Sequence, residues 1–153
     1  MRNTFFKLWI HGIFHTSGET PIAEALEAML YYQIDKQLTE QGCEVAAVGG
    51  QPDHVHFLFT QNPLISTHET FHYVKLITTR WYHNHDFHAG FRKFQWNEGY
   101  SAYSVSESLV EKTKVFIESQ EEVHKTMGFF DEANKLNALH KVDLRDGGFD
   151  FLE

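Results

Sequence analysis

The sequence predicts an α+β protein: a ferredoxin-like βαββαβ antiparallel sheet with an added C-terminal helix. Three observations carry that expectation. Strand-like and helix-like stretches follow one another in that order along the chain. The two middle strand-like runs are separated by "GGQPD", whose residues suit a hairpin. The helical stretches begin near Ser, Thr or Pro, as helix starts do.

Taken in order, "FFKLWIHGIF" (5–14) is aromatic and β-branched with partial alternation, a first strand closed by the turn-prone "TSGETP". Thr20 before Pro21 is the expected N-cap of a helix that runs at helical spacing to Gly42. "CEVAAVGGQ" and "HVHFLFT" are the hairpin strands. Apolar residues at 71, 74, 77 and 81 place a second helix, with Ser66 or Thr67 near its cap. "FRKFQWNEGYSAYSVS" reads as extended, and "SESLVEKTKVFIESQEEVHKTM" as a third helix capped near Ser106 or Ser108. Its Val115, Phe116, Ser119 and Val123 straddle the face expected to pack on the sheet. A short helix and an acidic, Gly-containing tail close the chain. One domain over 1–153 is expected, with its core at about 5–130 and the tail at about 131–153.

Composition bounds the function. With 42% hydrophobic and 15% aromatic residues the chain can bury a core. The net charge of -8, from 13 basic against 21 acidic residues, argues against broad attraction to a polyanion, so nucleic-acid contact has to be local. The single Cys43 excludes an internal disulfide framework and suits a reducing compartment. Lys7 and His11 interrupt the apolar N-terminus, and no run approaches the ~20 apolar residues of a membrane span, so a soluble cytoplasmic protein is expected.

The chemistry concentrates in "QPDHVHFLFT" (51–60). Alternation along a strand sends His54 and His56 to one face about 7 Å apart, a ready pair of metal ligands. A half-exposed strand that happens to carry histidine, in a chain with 11 of them, reads the same way. "PDHVH", then "VKLITTRW", "FQWNEGYSAYS" and "VEKTKVFIESQEEVHK" together resemble, in order and spacing, the single-tyrosine HUH transposases of the insertion-sequence-200 type. That group includes the REP-associated tyrosine transposases, and the resemblance spans residues 5 to 130 or so.

The resemblance implies a dimer that cuts and rejoins single-stranded DNA at hairpins. A helix tyrosine attacks the phosphodiester, and Mg²⁺ or Mn²⁺ is held by two histidines and a glutamine. Carried over, the ligands are His54, His56 and Gln120, with the helix of one protomer reaching the histidines of its partner. The tyrosine position, four residues before the glutamine, is Phe116 here. Phenylalanine keeps the packing and lacks the nucleophile, so the resemblance implies cleavage that is absent or crippled. Relatives also carry a basic "TKxR"-like turn after the first strand, where this chain has "HTSGETP" and no Lys or Arg from Leu8 to Tyr32.

Other residues stay open between function and structure. Tyr100 and Tyr103 are alternative nucleophiles or aromatic packing. His11 is a core histidine or a ligand lining the same sheet face as the pair. Lys75, Arg80, Arg92 and Lys93, interleaved with Trp81, Tyr82, Phe91 and Trp96, are a DNA-binding patch or a solvated rim over core aromatics. His83, His85 and His88 are surface histidines or a second metal cluster, and Glu121 and Glu122 serve helix solubility or the metal. The alternative to DNA handling is a non-catalytic dimeric scaffold, or decayed relic, that binds no nucleic acid.

Overall fold

The computed structural model describes residues 3–142. Its elements are β1 (Trp9–His15), α1 (Glu24–Glu40), β2 (Val45–Gln51), β3 (His54–Thr60), α2 (Thr67–His85), β4 (Ser101–Val105), a 3₁₀ turn (Glu107–Leu109), α3 (Val110–Glu118), α4 (Gln120–Val123) and α5 (Phe129–Leu139). The strands form one sheet in the order β2-β3-β1-β4, every neighbour antiparallel, the arrangement that βαββαβ connectivity demands. The chain divides into two compact units, Met1–Glu121 and Glu122–Glu153. The first contains the sheet with α1, α2 and α3. In the second, α5 is the short helix expected from the sequence, and His124 Nε2 meets the buried Glu132 carboxylate at 2.9 Å. The rest of the expected tail, from 143 onward, lies outside the described residues.

The two faces of the sheet are both covered, and the alternation of β1 and β3 divides their side chains between them. Phe14, Val55, Phe57 and Phe59 enter one core with Leu30, Ile34 and Leu38 of α1 and Phe71 and Val74 of α2. Phe14, Phe57 and Phe71 meet there as edge-to-face pairs with centroids 4.7 to 5.3 Å apart, the geometry aromatic quadrupoles favour. On the opposite face Trp9 and Leu58 pack with Ala47, Val110 and Ile117 under α3. β3 is therefore buried along both faces, and His54 and His56 are as inaccessible as its phenylalanines.

Several local expectations shift. Ser66 caps α2 as anticipated, with a reciprocal box to Glu69. α1 instead begins at Glu24, three residues beyond Pro21. Thr20 Oγ1 is engaged across the fold with the backbone of Gln95, while the amides of Ile22 and Ala23 bind Pro52 O and the Tyr82 hydroxyl, holding this stretch out of the helix. The third helix is shorter than expected: Ser106 opens a 3₁₀ turn, α3 starts at Val110, and its regular pattern breaks at Ser119, whose hydroxyl turns back to donate to Val115 O. Its sheet-facing residues are Val110 and Ile117 with Phe116, whereas Val115 is 60% exposed.

The hairpin also closes more tightly than expected. Gln51 pairs with His54, so Pro52 and Asp53 alone make the turn, and Gly49 and Gly50 belong to β2. Gly49 lies opposite His56 in the register, and a Cβ placed on it would stand 2.5 Å from the carbonyl oxygen of Ile117. The missing side chain is what lets α3 lie against the sheet at this point. Gly49→Ala is expected to push the two backbones apart and destabilise the fold by roughly 1–3 kcal/mol, read as a lower denaturation midpoint with an unchanged slope.

Candidate metal and nucleic-acid site

β3 presents His54 and His56 to the α3 side of the sheet, two residues apart on the pleat, with ring centroids 5.0 Å apart. β1 runs antiparallel beside it and adds histidines to the same face. His15 is the register partner of His54, and Ile13 that of His56. His11 reaches diagonally to His56, its Nε2 2.7 Å from His56 Nδ1. Sequence reasoning weighed His11 and missed His15, although spacing by four on one strand places both on the face of the pair. From the other side α3 lowers Phe116 and the residue after its break, Gln120, onto the histidines. Phe116 meets His56 nearly perpendicularly at 5.5 Å and His11 at 6.2 Å. Within the single chain described, α3 lies over these histidines.

The polar atoms around His54 have a defined sense. Its Nδ1 lies 2.7 Å from Asp53 Oδ1, a carboxylate that can only accept, so the ring proton sits on Nδ1. Gln120 donates its amide nitrogen to Phe116 O at 3.3 Å, which turns Oε1 toward His54 Nε2 at 3.0 Å. A neutral His54 thus points a lone pair at another acceptor. The contact is satisfied by a cation bound by both atoms, by a second ring proton, or by the Gln120 amide turned so that its nitrogen donates to His54 Nε2.

The remaining candidates separate clearly. Tyr103, opposite His11 in the β1–β4 register, is buried with its ring 6.2 Å from that of His11, and burial raises its phenol above the ordinary value. Tyr100 packs on Phe71 at 4.7 Å and its hydroxyl contacts His68, placing it with the α1/α2 core on the other face. Lys75 donates to Asn97 O and Gly99 O and lies over the Phe14 ring, clamping the loop before β4. Arg80 and Lys93 are exposed, and Arg92 stands 3.7 Å from Glu19. Of the four interleaved aromatics, Tyr82 stacks on Phe94 inside the core and Trp96 donates to Thr78 Oγ1. Trp81 stacks on His85, which leaves Phe91 as the exposed one. His83 binds the carbonyl of Phe94 in the loop after α2, and His85 binds the carbonyl of Trp81 one turn back in the same helix. Glu121 and Glu122 are exposed, and Glu122 pairs with Lys125.

With this geometry in view, the comparison with known proteins is direct. The family described as "Transposase IS200 like" matches residues 4–120, which include both histidines, Phe116 and Gln120. The chain belongs to the IS200-like transposase family. A candidate transposase from Deinococcus radiodurans R1 superimposes with a TM-score of 0.62 at 23% identity, covering 78% of this chain and 95% of that one. A REP-associated tyrosine transposase bound to a REP hairpin superimposes with a TM-score of 0.57 at 15% identity, over 81% of this chain and 73% of that one. At these identities the two structures speak for the transposase fold. No curated protein matches the sequence. Among the described residues no helix is long and apolar enough to cross a membrane.

His15 gives the site a pH signature. Burial, then the nearby Lys75 ammonium, lowers its pKa from the ordinary 6.5. The unfolded chain therefore binds this proton more readily than the folded one, so the stability involved is complete above pH 6.5 and falls as the pH drops below it. A His15→Gln variant lacks this loss: its melting temperature relative to the native protein is expected to rise between pH 8 and pH 5, measured by thermal unfolding across about that range.

Proposed function

We propose that this transposase-family protein binds one divalent cation, Mg²⁺ or Mn²⁺, through His54, His56 and Gln120, and recognises single-stranded DNA hairpins as a homodimer without forming a phosphotyrosine bond. The observation that carries the reading is the approach of His54 Nε2 to Gln120 Oε1, two ligand-type atoms 3.0 Å apart at a buried position. Amide oxygen is a donor that both Mg²⁺ and Mn²⁺ accept, and imidazole nitrogen is one that Mn²⁺ accepts more readily than the harder Mg²⁺, so the set fits such an ion. Bound there, the ion supplies Lewis-acid polarisation of a phosphodiester oxygen. Asp53 keeps the proton of His54 on Nδ1, as carboxylates do for metal-ligating histidines. Phe116 contributes shape: its ring closes the pocket beside His56 and offers no oxygen for attack. Support for a DNA partner comes from family membership and from the hairpin carried by the REP-associated neighbour. On this chain Arg80, Arg92 and Lys93 with Phe91 are the exposed basic and aromatic groups suited to phosphates and unpaired bases.

One observation favours a second reading, a dimeric scaffold that binds no nucleic acid: Lys75 is engaged with backbone carbonyls, in a chain of net charge -8. The two readings part on metal binding. At a Mn²⁺ concentration ~100 times Kd, the native protein is expected to gain about 2.7 kcal/mol, a rise of roughly 5–10 °C in melting temperature. His56→Ala and Gln120→Ala should each abolish the gain. Equal or absent shifts in all three proteins would leave the scaffold as the better account. DNA handling has its own test. Phe116→Tyr restores the nucleophile and is expected to form a covalent protein–DNA adduct with a cognate hairpin in Mn²⁺, seen as a retarded band on a denaturing gel. Failure across a broad hairpin library would count against retained DNA handling.

A further inference from the structure

We infer that His11 is a positioning residue: it accepts the Nδ1 proton of His56 and thereby fixes that ring so that Nε2 is the nitrogen offered to a cation. The consequence for metal binding rests on the reading above, whereas the hydrogen bond itself does not. His11 stands on β1, the central strand beside β3, and is 3% exposed. Its Nε2 lies 2.7 Å from His56 Nδ1, with ring centroids 5.0 Å apart and the planes tilted by 36°. Two neutral imidazoles in this contact share one proton, so one ring donates and the other accepts.

The neighbouring histidine of the same strand gives the direction. His54 meets a partner through Nδ1, and because that partner is a carboxylate its proton must lie on Nδ1, with the lone pair on Nε2 toward Gln120. His56, two residues on and on the same face, is likewise met through Nδ1. With His56 donating to His11, both β3 histidines share one tautomer and both direct Nε2 lone pairs to the α3 side. The reverse arrangement puts a proton on His56 Nε2 and removes it as a ligand nitrogen. A metal-ligating histidine almost always donates its other N–H to an acceptor, and deleting that acceptor typically costs 10–100-fold in metal affinity. Here the acceptors differ in kind, an aspartate for His54 and a neutral imidazole for His56. The packing around His11 also fits a fixed ring, since Tyr103 and Phe116 stand edge-on to it at 6.2 Å each. The same contact explains why a histidine, and not an apolar residue, fills this buried position of β1.

The first measurement needs neither metal nor mutation. In ¹⁵N-histidine-labelled native protein, long-range ¹H–¹⁵N correlation is expected to report a protonated Nδ1 and a lone-pair Nε2 for His56; a protonated Nε2 would overturn the proposal. The second compares Mn²⁺ affinity by calorimetry in His11→Gln and His11→Phe, with melting of each metal-free variant as a control. Glutamine keeps an acceptor, and its affinity should stay close to native. Phenylalanine keeps the ring and lacks the acceptor, and should bind Mn²⁺ about 10–100-fold more weakly. Native affinity in His11→Phe, or equal loss in both variants, would overturn the positioning role. If the native protein binds no Mn²⁺ at all, the cation reading fails, and the tautomer of His56 still decides the role of His11.

Discussion

The close approach of α3 to the sheet over Gly49 is the constraint on which the candidate site depends. A side chain at that position would collide with the carbonyl of Ile117, and Gly49 is the register partner of His56. One absent Cβ thus sets how near Phe116 and Gln120 come to the two histidines. Burial of Val110 and Ile117 against Trp9, Ala47 and Leu58 supplies the apolar drive that holds the helix there. The hydrogen bond from Trp9 Nε1 to Glu107, 2.6 Å, ties the approach to α3 back to the start of β1. Break of the helix at Ser119 then places Gln120 beside His54.

Burial of β3 on both faces gives the site its electrostatic character. On one face the strand contributes Val55, Phe57 and Phe59 to the main core, which makes its position rigid. On the other the same rigidity carries His54 and His56 to positions closed to solvent. Polar groups in such a place cost free energy unless they are paired: His54 Nδ1 meets Asp53 and His56 Nδ1 meets His11, while His54 Nε2 faces Gln120 Oε1. The pairing is directional, because Asp53 can only accept and the amide of Gln120 is oriented by Phe116 O.

Phe116 separates the scaffold of the site from its chemistry. The ring packs with the second core and stands at right angles to His56, so the position is structurally complete without a hydroxyl. Phe116 carries no hydroxyl. Tyr103 is fixed in β4 and buried, and burial holds its phenol in the neutral form. The basic groups are similarly divided, with Lys75 serving the loop before β4 while Arg80, Arg92 and Lys93 remain at the surface.

The sequence by itself determined the order of elements, the fold class, the family, and the strand face shared by His54 and His56. Those features are written in local periodicity, turn residues and short motifs, which a chain carries whether or not it is folded. It also carried the cap at Ser66, because a capping box is complete within four residues. Only the tertiary structure decided that α1 starts at Glu24, since the contacts holding residues 20–23 extended come from Pro52, Tyr82 and Gln95. It decided that Gly49 and Gly50 are strand and not turn, because their reason is a helix and a strand packed against them. And it decided the partners of the two histidines: His11 is 45 residues from His56 and Gln120 is 66 from His54, separations that no local pattern encodes and that only packing on one sheet face brings within hydrogen-bond distance.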